Sequence, residues 1–194
     1  YNDATGPFST VGGGNFNDAT GQLAVVGGGD YNVASGFCAV VAGGSTDSAR
    51  SPYSAALSGF HNLSGEYSID TASVIAGGWD NEVSGRYSAI GGGAYNNVDA
   101  YYATVAGGDS NRAWGECSGV GGGRYNWTDG RYGTIAGGDS NRNIDCDYGA
   151  IGGGYRNSVE DADYGTVSGG RLNDVSAGYG TVGVKRGKPF VEVK

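Results

Sequence analysis

The chain has 194 residues, 41 of them glycine and 3 of them proline, with a formal charge of −8. Glycine does not recur at every third position, which excludes a collagen helix, and Val, Ile and Tyr recur at fixed positions, which excludes a disordered acidic chain. The charge argues against a nucleic-acid partner, and no apolar run approaches the roughly 20 residues needed to span a membrane.

A repeat starts with the first residues. A β-branched or small residue before a glycine pair marks the register at Val11, Val26, Val41, Ala56, Ile75, Ile90, Val105, Val120, Ile135, Ile151, Val167 and Val182. The steps are 15, 15, 15, 19, 15, 15, 15, 15, 16, 16 and 15 residues. A second column precedes it: Asn2, Asn17, Asn32, Asp47, Asn62, Asn81, Asn96, Asn111, Asn126, Asn141, Asn157 and Asn173. Two residues after the Asn comes Ala or Val, as at Ala19, Ala34 and Val83. Two residues before the Val/Ile comes Ser, Ala or Gly, as at Ser9, Ala24 and Gly133.

Each coil therefore reads as two half-turns, Asn-x-Ala/Val-x-Gly and Ser-x-Val/Ile-x-Gly. Period-2 alternation predicts strands with one buried face, and the glycines predict tight reversals with positive φ. The expected fold is all-β: a β-solenoid, a two-sided parallel β-roll of about 12 coils of 15 residues spanning 1–183, with 184–194 as a C-terminal cap or inter-subunit strand. Stacked at about 4.8 Å per rung, the coils predict a rod roughly 60 Å long. The inward asparagines should form an amide ladder that satisfies turn backbone groups. Aromatic columns at Phe8, Tyr53, Tyr87, Tyr102, Tyr132, Tyr148, Tyr164 and Tyr179, and at Phe16, Tyr31, Tyr95 and Tyr125, should stack at rung spacing.

Further along the chain, the 19-residue step predicts a longer coil between Gly59 and Gly78, with Tyr67-Ser68-Ile69-Asp70 inserted. The 16-residue steps predict one-residue bulges near Asp145–Asp147 and Asp161–Asp163. Asn62-Leu63-Ser64 and Asn126-Trp127-Thr128 are glycosylation sequons, but both asparagines belong to the inward column. His61 is the single histidine, so no catalytic triad is supported. The Gly-Gly runs lack a phosphate-loop lysine, and acids such as Asp109 and Asp139 read as turn residues. No cofactor, metal ligand set or catalytic residue is assigned. Cys38 and Cys117 stand in an aromatic column five rungs apart, about 24 Å at rung spacing, and Cys117 and Cys146 two rungs apart, so no intrachain disulfide is expected. Arg112, Trp127 and Arg142 share one outward column on successive rungs, with Trp114 beside them, a pattern suited to cation–π stacking and to a contact surface.

After Val182 the repeat stops. By count, residues 1–184 carry 8 Arg and 19 acids, hence −11, whereas 185–194 carry 3 Lys, 1 Arg and 1 acid, hence +3. The tail holds Lys185, Arg186, Lys188 and the strand-like Phe190, Val191 and Val193. The first coil starts in register at Tyr1, so the basic strand-forming tail reads equally as a pairing strand for the open end of a following subunit, an assembly contact, or as a cap folded onto its own last coil. The chain lacks Met and a signal peptide and reads as a piece of a longer protein.

Segments such as Tyr87-Ser88-Ala89-Ile90-Gly91, followed by Asn96-Asn97-Val98-Asp99, resemble the head repeats of trimeric autotransporter adhesins. Similar repeats occur in phage-like tail-fibre proteins. The resemblance covers about residues 1–183 and implies a left-handed β-roll. The coil here is one residue longer, and no coiled-coil stalk or membrane anchor accompanies it, so trimerisation does not follow from the resemblance. The Asn-x-Val-x-Gly half-turn also resembles the roll of grass ice-binding proteins. The function expected first is an extracellular or cell-surface structural or adhesive rod, non-catalytic, with itself as partner in a homotrimer or head-to-tail filament. An ice- or surface-binding face, built on Thr10, Thr104, Thr134, Thr166 and Thr181, is the alternative. Its column is interrupted by Val25, Val40, Ala55, Ala89, Gly119 and Ala150. A glycan-binding tail-fibre segment is a third, which needs a groove that the sequence does not display.

Overall fold

A computed structural model describes residues 1–66, 71–176 and 179–183. They are all-β, with no helix, and form a β-solenoid of parallel strands two or three residues long. Strands starting near the Asn column make one twelve-stranded parallel sheet, the Asn sheet, and strands ending at the Val/Ile column make another, the Val sheet. The chain divides into two compact units, Tyr1–Val98 and Asp99–Lys194.

The register in each unit follows the repeat. In the first unit Val26 pairs with Val41 and Ile75 with Ile90; in the second Val120 pairs with Ile135 and Ile151 with Val167. Across the 19-residue step Ala56 still pairs with Ile75, and Ser64 with Val83. The extra residues thus leave the ladder intact, and the expected insertion 67–70 itself lies outside the described residues. The two 16-residue steps are bulges where expected. The strands Arg142–Ile144 and Ser158–Glu160 run one residue longer, and Asp145 and Asp161 take up the excess with φ of 52° and 51°.

The core is thin because two short sheets face each other across one layer of side chains. Val26, Val41, Ile75, Ile135 and their column mates are buried, save Val11 of the first coil, which is half-buried, and so are alanines opposite them such as Ala19 and Ala34. Where the Ser/Ala column holds glycine, a larger residue fills the space. Gly133 lies against Thr128, Gly149 against Asn143, and a Cβ on Gly165 would come within 2.5 Å of Val159 Cγ1. In coils with Ala39 or Ser73 the opposing residue is Ala34 or Ser64, and Ser64 and Ser73 hydroxyls meet at 3.1 Å. In these rungs the loss of volume on one side is met by a gain on the other, as close packing demands.

The amide ladder forms as expected. Asn32 N–H donates to Asn17 Oδ1 at 3.0 Å, and its Nδ2 donates to the Gly28 and Gly44 carbonyls at 2.9 and 3.0 Å. Asn141 repeats the pattern in the second unit, with Nδ2 donating to Asn126 Oδ1, Gly137 O and Gly154 O at 3.0, 3.0 and 3.1 Å. Each side chain thereby satisfies turn carbonyls that would otherwise be buried unpaired. Asn62 and Asn126, the two sequon asparagines, are spent in this ladder.

The corners differ from expectation. Positive φ at the second turn belongs to glycines such as Gly29, at 96°. At the first turn the glycine instead answers to crowding, since a Cβ on Gly21 would overlap the Gly36 carbonyl of the next rung. The left-handed residue there is the aromatic position two residues later: Phe8, Leu23, Cys38, Tyr53, Ala72, Tyr87, Tyr102, Cys117, Tyr132, Tyr148 and Tyr164 have φ between 53° and 60°. The residue before each Asn does the same, from Phe16 at 52° to Leu172 at 56°. Such a conformation places Cβ near the following carbonyl, and bulky residues seldom adopt it.

Candidate functional site

Left-handed corners throw their side chains outward, so the aromatic columns become exposed ladders. In the second unit Tyr132, Tyr148, Tyr164 and Tyr179 stack with centroids 4.8, 4.8 and 5.4 Å apart. Beside this ladder Arg131 pairs with Asp147, and the guanidinium holds that carboxyl below its usual range. In the first unit Phe16 stacks on Tyr31 at 4.9 Å and Phe60 on Trp79 at 4.5 Å.

The Arg/Trp column forms in register, Arg112 opposite Trp127 and Trp127 opposite Arg142. The stacking order is not a simple sandwich of one indole. Arg112 lies over Trp114 at 5.3 Å, Trp114 meets Trp127 edge-on at 5.6 Å, and Arg142 covers Trp127 at 5.3 Å. Trp114 therefore takes the place beside Trp127 that the column gave to Arg112. The four side chains satisfy one another, while the Trp127 indole Nε1 is buried without an acceptor. Asp139 is more than a solvated turn residue: the Ser140 hydroxyl, donating at 2.6 Å, and then Arg124 at 2.7 Å hold its carboxyl below the usual range.

The three cysteines are free thiols. Cys38 and Cys117 sit at left-handed corners, and Cys146 is buried at a bulge, where desolvation pushes its thiol up to about 11. Tyr1 lies on the first strand's flank, its ring 6.4 Å from that of Phe16. Lys185, Arg186, Lys188, Phe190, Val191 and Val193 lie outside the described residues. Among the described residues no three His, Cys, Asp or Glu side chains gather as a metal ligand set.

Among the described residues, two concave surfaces interrupt the outer faces. One is a shallow apolar strip on the Val sheet, about 400 Å³, where Gly119 lies between Thr104 and Thr134. The other, about 560 Å³, lies on the outer face of the Asn sheet in the first unit. There the corner column reads Tyr31, Thr46, His61, Asp80, Tyr95: three shorter residues between two tyrosines. Ser48 and Leu63 form the floor, and Arg50, Glu82 and Asn97 add polar groups. His61 Nδ1 meets Asp80 Oδ1 at 2.6 Å. The groove was not found from the sequence. Its signal was the run Thr46, His61, Asp80, without Tyr or Phe, in the second aromatic column.

Comparison with models of known protein families gives no match, and comparison with curated proteins gives none either.

Proposed function

We propose that the chain is a non-catalytic structural or adhesive element of the cell exterior that works through its repeated outer surface and joins copies of itself. The supporting observation is the left-handed aromatic corner. Glycine or asparagine fits that conformation most easily, whereas another residue costs about 1–2 kcal/mol there. Tyr and Phe recur at these corners and remain about half exposed, Tyr132 at 45% and Tyr102 at 57%. Stacking offsets part of the cost, about 0.5–1.5 kcal/mol per pair. The remaining strain holds large rings in solvent at rung spacing, a surface suited to contact.

The test replaces Tyr132, Tyr148 and Tyr164 together by asparagine, which keeps the corner and removes the rings. The variant should fold, by circular dichroism, yet lose attachment to surfaces, followed by electron microscopy. Unchanged attachment would refute the reading. The ice-binding alternative is disfavoured by the Val sheet's outer face. In the second unit Gly119 and Ala150 interrupt the threonines, and in the first unit the column runs Val25, Val40, Ala55, Val74, Ala89. No thermal hysteresis is expected at micromolar protein.

A further inference from the structure

In the groove on the Asn sheet the aromatic corner column opens over three successive rungs, at Thr46, His61 and Asp80, and closes again at Tyr95. Tyr31 and Tyr95 stand four rungs apart, roughly 19 Å at rung spacing. Phe16 covers one face of Tyr31, 13° from parallel, so the other face is turned along the ladder into the gap. Between the two rings lie an apolar floor at Leu63 and side chains that both donate and accept hydrogen bonds. Aromatic ends, an apolar floor and a few fixed polar groups are the composition of a small-ligand site.

The lining also selects the ligand's chemistry. Its fixed charges are few and mixed: Arg50 stands against Glu82, and the Asp80 carboxylate is engaged by His61 Nδ1, so no strong field of one sign selects an ion. A nucleic acid, the other flat-faced ligand that stacks on rings, is opposed by the chain's charge of −8. A pyranose ring carries C–H groups on its faces, which suit the negative face of a tyrosine ring, and hydroxyls on its rim, which suit paired donors and acceptors.

We propose that this groove binds a short neutral oligosaccharide, with pyranose rings against Tyr31 and Tyr95 and hydroxyls bonded by Arg50, His61, Asp80 and Glu82. The site does not depend on self-assembly. A chain that binds saccharide but stays monomeric overturns the assembly reading alone, and one that assembles without binding overturns the groove alone.

The probes are neutral tri- and tetrasaccharides of glucose, mannose, galactose and N-acetylglucosamine, screened on an array and titrated calorimetrically against the full chain. At least one should bind with a stoichiometry of one per chain. Tyr31→Ser and Tyr95→Ser should each weaken it about tenfold or more, and Tyr155→Ser, outside the groove and outside both corner columns, should leave it unchanged. Serine suits the column of Tyr31 and Tyr95, since Ser110 and Ser140 already occupy it with φ of 58° and 60°. Leu63→Trp, which fills the floor without touching a corner, should block binding and decides the matter if a serine variant misfolds. The proposal is overturned if no neutral saccharide binds at millimolar concentration, or if binding survives both serine variants and Leu63→Trp.

Discussion

Asp47 is the acid in a column of amides, and its surroundings remain those of an amide. Its Oδ1 accepts from Asn62 N and Nδ2, both at 2.8 Å, as an Asn Oδ1 would. Its Oδ2 lies against Gly44 where Asn32 places Nδ2 against Gly29, and it is buried without a partner. An amide nitrogen donates there to glycine carbonyls; an ionised carboxylate has nothing to donate. Desolvation accordingly raises the Asp47 carboxyl above its usual 3.8, and the Asn62 hydrogen bonds and nearby His61 only partly oppose it. An acid whose folded-state pKa is raised binds its proton more tightly folded than unfolded. Its contribution is thus fully present below the unfolded value and is lost as pH rises through the folded one. Asp47→Asn should restore the missing donor and stabilise the protein at pH 7 by about 1–3 kcal/mol, the cost of a buried unsatisfied group. The gain should shrink towards pH 3, where the carboxylic acid itself can donate. Denaturant unfolding of both proteins across this pH range checks it, and a destabilised Asp47→Asn at neutral pH would contradict the account.

Within one coil, the core behaves as a set of small volume exchanges. Gly165 faces Val159 in a bulged coil, whereas Ala39 faces Ala34 in a regular one. Gly165→Ala alone should overpack the rung and cost about 1–3 kcal/mol. Val159→Ala alone should open a cavity, at a cost comparable with other losses of buried methyl groups. Together they exchange the Val159 methyl for a Cβ at 165, so the double variant should be more stable than the sum of the two losses predicts, with a coupling of about 1 kcal/mol or more measured by a double-mutant cycle. Strict additivity would mean that the two side chains do not share the space. This element was legible from sequence because its cause is periodic: Val26, Val41 and Ile75 recur where the chain must bury something, and Asn32 and Asn141 where turn carbonyls need donors. The steps of 16 likewise located the bulges at Asp145 and Asp161. The corners were not legible. Left-handed backbone is ordinarily signalled by Gly or Asn, and here Tyr53, Leu23 and Cys38 adopt it, forced by the closure of the coil rather than by their own preference. Nor was the groove legible, since it is made by what Thr46, His61 and Asp80 do not fill.

At the scale of the whole molecule the organising asymmetry is electrostatic. Residues 1–184 sum to −11 and 185–194 to +3. Parallel ladders leave unpaired N–H and C=O groups on any terminal strand, a template that another strand can complete. The sequence after Val182 supplies a candidate: Phe190-Val191-Glu192-Val193 has strand-forming composition, and Lys185, Arg186 and Lys188 precede it as a basic segment suited to an acidic body. In the proposed assembly this strand adds to the terminal coil of the next copy, and the basic residues set its approach. Two physical consequences follow. Attraction between the basic segment and the acidic coils is screened over about 8 Å at physiological ionic strength and about 3 Å at 1 M. Filaments should therefore shorten as salt rises, while the apolar strand pairing persists in part. Removing Gly187–Lys194 deletes the pairing strand but leaves every coil intact, so the truncated chain should keep its circular dichroism and sediment as a single short species. The competing arrangement has the same residues folded back as a cap on their own last coil. Truncation would then lower thermal stability and increase association by baring that coil. Sedimentation and electron microscopy of the two chains separate the cases: long assemblies that persist without Gly187–Lys194, or an intact chain that never forms them, would show that the tail does not join one molecule to the next.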